Sequence, residues 1–122
     1  PRWLPPWYQR AGTPFTVNSV SMAAAAASLS DTAHAERYLA QVTRWRKRFA
    51  AEVNLPVLPS GANFVMIDVA PRKSDEVVEE LARHGVVVRS CRSFTGLEDH
   101  YIRVSVGEDW ENELFVKVIN SL

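Results

Sequence analysis

The segment Tyr101–Val106, Tyr-Ile-Arg-Val-Ser-Val, constrains the fold more than any other stretch of this chain. In an extended strand, successive side chains point to opposite faces. Ile102, Val104 and Val106 therefore share one face, and Tyr101, Arg103 and Ser105 share the other. The first face suits a core and the second does not. Such a strand predicts a sheet with helices packed on one face.

The flanking sequence supplies the other elements. Asn63–Val69 is rich in β-branched and aromatic residues and reads as a strand ended by Pro71. Both of its faces are partly apolar, which predicts a covered strand. A helix follows, capped by Ser74 or Asp75, with Val77, Val78 and Leu81 as its apolar face and Gly85 at its stop. Val86–Cys91 reads as a second strand, Arg92–His100 as a loop containing Gly96, and Tyr101–Val106 as the third strand, ended by Gly107. Asp109 is the expected cap of a last helix carrying Leu114, Phe115, Val118, Ile119 and Leu122.

Upstream the pattern is helical. Asn18 or Ser19 suits the cap of a small-residue helix running through Met22 to Leu29, and Ser30-Asp31 breaks it and starts another. The second runs from Thr32 to about Val53, with Tyr38, Val42, Trp45 and Phe49 recurring at steps of three and four. Pro1–Pro14 holds four prolines and the aromatic residues Trp3, Trp7 and Tyr8, and reads as an arm. The expected organisation is an arm over residues 1–14, connecting helices over 15–54 and a small domain over 55–122. The fold class is α+β: long N-terminal helices, then a small three-stranded, mostly antiparallel sheet.

Bulk properties narrow the function. Lysine plus arginine equals aspartate plus glutamate, so the net charge is zero. A general nucleic-acid binder carries a basic excess. The one basic cluster, Arg44-Trp45-Arg46-Lys47-Arg48, has the spacing of a solvated helix side. Cys91 is the single cysteine, which excludes an internal disulfide and suits a reducing, cytoplasmic setting. No apolar run approaches the roughly 20 residues of a membrane span. His34, His84 and His100 show no metal-ligand spacing. No serine sits in a nucleophile elbow, and no phosphate-binding glycine loop occurs.

Arg103 and Arg89 remain. Arg103 lies mid-strand on the side away from the core, and Arg89 lies near the end of the second strand. The planar guanidinium donates two parallel hydrogen bonds to a carboxylate or phosphate. If the strands are neighbours, both arginines converge on one anion. Alternatively, each pairs with a local acid such as Glu98, Asp99 or Glu108.

Three ordered segments carry a resemblance. They are Pro14-Phe15-Thr16-Val17-Asn18-Ser19; Ser60-Gly61-Ala62-Asn63-Phe64-Val65-Met66-Ile67-Asp68; and Gly85-Val86-Val87-Val88-Arg89 with Gly96-Leu97, Tyr101–Gly107 and Glu111-Asn112-Glu113. Over residues 12–122 the chain resembles the C-terminal small domain of the histidinol-phosphate aminotransferases. These enzymes use pyridoxal 5'-phosphate (PLP) and have the type I fold. The resemblance implies that Arg103 grips the acidic group of the substrate and that Arg89 helps hold its phosphate. It implies a phosphorylated amino compound such as histidinol phosphate, with 2-oxoglutarate and glutamate as the other pair, in a cytoplasmic homodimer. It also implies that the residues 1–14 are left from a preceding large domain. That domain would hold the PLP and its anchoring lysine, leaving this piece inactive alone, with no catalytic, cofactor-binding or metal-binding residue of its own. One departure stands out. After Arg89 the sequence reads Ser90-Cys91, where many such enzymes carry an acid. That wording is similar to the threonine-phosphate decarboxylases, so a PLP-dependent decarboxylase is an alternative. A free-standing anion-binding regulatory module is a third reading, because a fold does not dictate a function.

Overall fold

The computed structural model describes residues 17–122. The expected arm over 1–14 lies outside the described residues. Two compact units divide the chain, Pro1–Arg37 and Tyr38–Leu122.

In the first unit, helix α1 spans Ser19–Ser28. Asn18 caps it as expected: its Oδ1 accepts the Ser21 N–H at 2.8 Å. None of its residues is buried. Asp31 Oδ1 accepts the His34 N–H at 2.9 Å and so caps helix α2, Thr32–Glu52.

In the second unit, the later part of α2 belongs to the core. Val42, Trp45 and Phe49 are its buried residues, and Val53 just beyond is buried too. The compact unit that holds the sheet includes α2 from Tyr38 onward, because this stripe packs into the same cluster as the sheet. The sheet has three strands: β1, Phe64–Asp68; β2, Arg89–Ser90; and β3, Tyr101–Ser105. Their order is β1-β3-β2, and both pairings are antiparallel. Helix α3, Ser74–Arg83, lies between β1 and β2 in the chain, and helix α4, Asp109–Ile119, closes it.

Val65, Ile67, Ile102 and Val104 form the buried sheet face. They share a core with Trp45 and Phe49 of α2, Val77 and Leu81 of α3, and Phe115, Val118 and Ile119 of α4. Phe49 is central, with its ring 5.5 Å from that of Trp45 and 5.6 Å, edge-on, from that of Phe115. Phe64 and Met66 on the other side of β1 are only half-buried, so that strand is covered on one face and not on both.

Polar contacts fix α2 against the β3–α4 turn. Asp109 accepts the Trp45 indole N–H at 2.6 Å and pairs with Arg44 at 2.5 Å. Gln41 donates to the Gly107 carbonyl at 2.7 Å, and the buried Asn112 amide exchanges two hydrogen bonds with the Gly107 backbone. The basic cluster is therefore largely engaged within the molecule. Arg48 stacks on Trp45 at 3.9 Å and pairs with Glu52, and Arg46 donates to the Ala62 carbonyl.

Three local expectations differ. The expected strand Val86–Cys91 shrinks to Arg89–Ser90. Gly85 takes a positive φ of 80°, and the Val86 N–H returns to the Leu81 carbonyl, so this backbone is spent ending α3 before it can pair with β3. Lys73, not Ser74 or Asp75, is the N-cap of α3, and the buried Ser74 hydroxyl instead meets that of Ser90 at 2.9 Å. Glu108, not Asp109, is the N-cap of α4, where the Glu111 carboxylate accepts the Glu108 N–H at 2.7 Å. Asp109 is committed to Trp45 and Arg44.

Truncating Phe49→Ala removes the ring that joins α2 to α4. We expect a loss of about 3–5 kcal/mol, measured as a shift in the urea midpoint of the chain. A shift worth under about 1 kcal/mol would show that this contact does not hold the unit together.

Candidate functional site

The open face of the sheet carries the site. Arg89 and Arg103 are direct partners in the β2–β3 register, and Met66 is the partner of Arg103 on β1. Residues opposite each other in an antiparallel pair point to the same side, with Cα atoms about 4.5–5.5 Å apart. The two guanidinium groups therefore leave the same face from adjacent strands.

Neither arginine forms an ion pair among the described residues. The acids that were candidates for them are engaged elsewhere. Glu98 bonds to His100 Nε2 at 2.9 Å, and Asp99 lies 3.8 Å from Lys73 Nζ. Glu108 belongs to the cap of α4. Arg103 Nε is buried with no hydrogen-bond partner among the described residues. Each guanidinium instead rests near an aromatic ring, Arg103 at 5.0 Å from that of Phe64 and Arg89 at 4.9 Å from that of Phe94.

Like charges placed directly opposite on a sheet are destabilising, and a buried donor without a partner costs more. An arriving anion relieves both. A carboxylate or phosphate has enough oxygen lone pairs to accept from two forks at once.

Cys91 lies at the foot of this site. It is buried, and burial pushes its thiol up, while the two arginines pull it the other way. The raised pKa and the burial make it a packing residue more than a nucleophile. Its N–H donates to the Tyr101 carbonyl at 2.9 Å, which closes the β2–β3 connection.

His100 joins a network of carboxylates beside the site that spacing alone does not show. Its Nδ1 meets Asp68 at 2.8 Å and its Nε2 meets Glu98 at 2.9 Å. A carboxylate on each nitrogen favours the charged form, in which both nitrogens donate. Its pKa is raised, first by the hydrogen bond to Asp68 and then by that to Glu98. Asp68 is lowered, first by the Ala70 N–H and then, beyond the opposing effect of its own burial, by His100. The Asp68↔Tyr101 register is the signal that joins these residues, and it exists only once β1 and β3 are paired. His34 and His84 are exposed and stay apart from the site. Among the described residues there is no metal-binding grouping, and no helix is long and apolar enough to cross a membrane.

Residues 6–119 match the family Aminotransferase class I and II. The chain belongs to that family. The histidinol-phosphate aminotransferase of Methanoculleus marisnigri is 57% identical over all 122 residues, which cover 35% of that protein. The chain thus spans about a third of the length of the curated relatives it matches. A crystal structure of the histidinol-phosphate aminotransferase from Clostridium acetobutylicum superposes with a TM-score of 0.75 at 25% identity, covering 93% of this chain and 35% of that one. The L-threonine-O-3-phosphate decarboxylase of Porphyromonas gingivalis has the same fold, with a TM-score of 0.68 at 21% identity over 93% of this chain and 36% of its own. The α+β class and the antiparallel three-stranded sheet agree with these neighbours.

Two measurements test the electrostatics of this chain. Arg89→Leu removes the charge opposed to Arg103 and should raise the melting temperature in phosphate-free buffer, by up to about 1 kcal/mol of stability. A lower melting temperature would mean that the arginines do not repel. The second test concerns His100. Its folded pKa is raised, so its contribution is complete below the unfolded value of about 6.5 and is lost as pH rises through the folded value. The contribution of Asp68, whose pKa is lowered, is complete above about pH 4 and is lost as pH falls through its folded value. Urea unfolding should therefore show His100→Asn weaker than the parent near about pH 6, with the gap closing in strongly alkaline buffer. A gap independent of pH would remove the charged His100 from the account.

Proposed function

We propose that this chain is the substrate-clamping part of a PLP-dependent aminotransferase that acts on histidinol phosphate. The observation that carries the reading is the Arg89↔Arg103 pairing on one sheet face, with Arg103 Nε buried and without a partner among the described residues. The identity of 57% with a histidinol-phosphate aminotransferase points to the same substrate class. In this reading Arg103 binds the acidic group of the substrate and Arg89 helps bind its phosphate. Histidinol phosphate and 2-oxoglutarate or glutamate are the exchanging pair. The working enzyme is a cytoplasmic homodimer.

The described residues suit an anion, and they do not suit the cofactor itself. The chain has three lysines. Lys47 and Lys117 are on helices α2 and α4, and Lys73 caps α3 beside Asp99, so none stands on the open sheet face. PLP, when bound, supplies the electron sink for the reaction. This chain supplies orientation: two forks fix the acidic end of the substrate and so fix which of its bonds is presented for reaction. The cleft of about 370 Å³ lined by Val86, Val88, Val104 and Trp110 includes neither arginine. Arg89 is exposed and Arg103 half-buried outside that cleft, and in this reading the remainder of the enzyme forms the opposite wall.

The test uses the intact enzyme that we propose contains this chain. Amino-group transfer from histidinol phosphate to 2-oxoglutarate supports the reading. Release of carbon dioxide from threonine phosphate, without that transfer, would replace it with the decarboxylase. Arg103→Ala should keep PLP bound, seen by its absorbance, and lower kcat/KM by an amount worth about 2–5 kcal/mol. An unchanged kcat/KM would take Arg103 out of the site. Metabolite binding by the isolated chain, with no transfer activity in any longer gene product, would favour the regulatory module.

A further inference from the structure

We propose that Phe94 is a positioning residue that sets how Arg89 presents its guanidinium to the substrate anion; this rests on the clamp reading above. Phe94 sits in the β2–β3 connection, and its ring lies 4.9 Å from the Arg89 guanidinium carbon. It is 41% exposed and stands in a connection outside the core cluster.

The connection is built to hold that ring in place. The Phe94 N–H donates to the Cys91 carbonyl at 3.0 Å, and the Leu97 N–H donates to the Phe94 carbonyl at 3.1 Å. Two successive turns thus bracket Phe94, and Gly96, with φ of 86°, supplies the left-handed residue in the second. Cys91 ties the start of the connection to β3. Its outer side is tied to α3, where Arg92 pairs with Asp75 at 2.7 Å and Ser90 meets Ser74. The neighbouring arginine is thereby spent on structure, and Arg89 is the one left beside the ring.

Contact through a ring face is compatible with anion binding in a way that an acid would not be. An aromatic face attracts the flat side of a guanidinium and leaves its N–H edges free. A carboxylate in the same place would occupy those edges. The ring also limits the rotamers of an exposed, flexible side chain, so less entropy is lost when the anion arrives. Arg103 is supported in the same manner by Phe64, but from within a strand, where the backbone already fixes it. Arg89 stands in a two-residue strand and depends more on its ring.

The test is a double-mutant cycle in the intact enzyme, with inorganic phosphate as a competitive probe. Phe94→Leu keeps apolar bulk and removes the π face, and Phe94→Tyr keeps the face. We expect Phe94→Leu to raise KM for histidinol phosphate and the inhibition constant of phosphate by about two- to five-fold, with kcat little changed and Phe94→Tyr close to the parent. In an Arg89→Ala background, Phe94→Leu should have no further effect. A Phe94→Leu defect that persists without Arg89, or no defect while Arg89→Ala is impaired, overturns the proposal. If Arg89→Ala itself leaves both constants unchanged, the assignment of Arg89 to the clamp fails, and this inference falls with it. Should Phe94→Leu not accumulate in folded form, Phe94→Met provides the same arm.

Discussion

Burial on one side only is the constraint from which the rest follows. Strands of five, two and five residues make a sheet too small to fill a core alone. Its apolar face must be closed by Trp45, Phe49 and Phe115 from two helices, with Val77 and Leu81 from a third. With all three helices drawn to that side, the other face stays open. Side chains that would be intolerable in the core are then free to stand there, fixed by backbone pairing on one side and in contact with solvent on the other.

What stands there is electrostatically unfavourable by itself. Two arginines face each other across a strand pair, acids nearby are committed elsewhere, and one guanidinium nitrogen is buried without a partner. The rest of the molecule satisfies its polar groups closely: Asn112 with Gly107, Asp109 with Trp45, His100 with two carboxylates. A local conflict inside an otherwise consistent structure marks a place shaped by binding more than by folding. The aromatic rings beneath the arginines fit the same view, since they steady a cation without consuming its donors.

The charged surface illustrates how position changes meaning. As a sequence, Arg44–Arg48 is a basic run. In the fold it ties α2 to its surroundings through Arg44 on Asp109 and Arg46 on a backbone carbonyl, while Arg48 lies over Trp45 of the same helix. Arg89 and Arg103, fourteen residues apart in the chain, form the concentrated positive feature. Cys91, close to both, is buried, and burial pushes its thiol up, which suits packing more than nucleophilic attack.

Periodicity by itself determined a good deal. The alternation in Tyr101–Val106 gave the face on which Arg103 stands, and steps of three and four placed Trp45 and Phe49 in the core, because both patterns follow from local backbone geometry. The Asn18 cap was also legible, since its bond spans only three residues. Other features were decided by partners distant in the chain. Val86–Val88 has strand composition, yet its backbone closes the end of α3, and only Arg89–Ser90 pairs with β3. Asp109 reads as a cap but is drawn to Trp45, sixty-four residues away, which leaves Glu108 as the cap. The meeting of Arg89 with Arg103, and of His100 with Asp68, depended on the strand register. Register is set by how the whole apolar face fits against the helices, and a slip of one residue would turn every side chain to the opposite face.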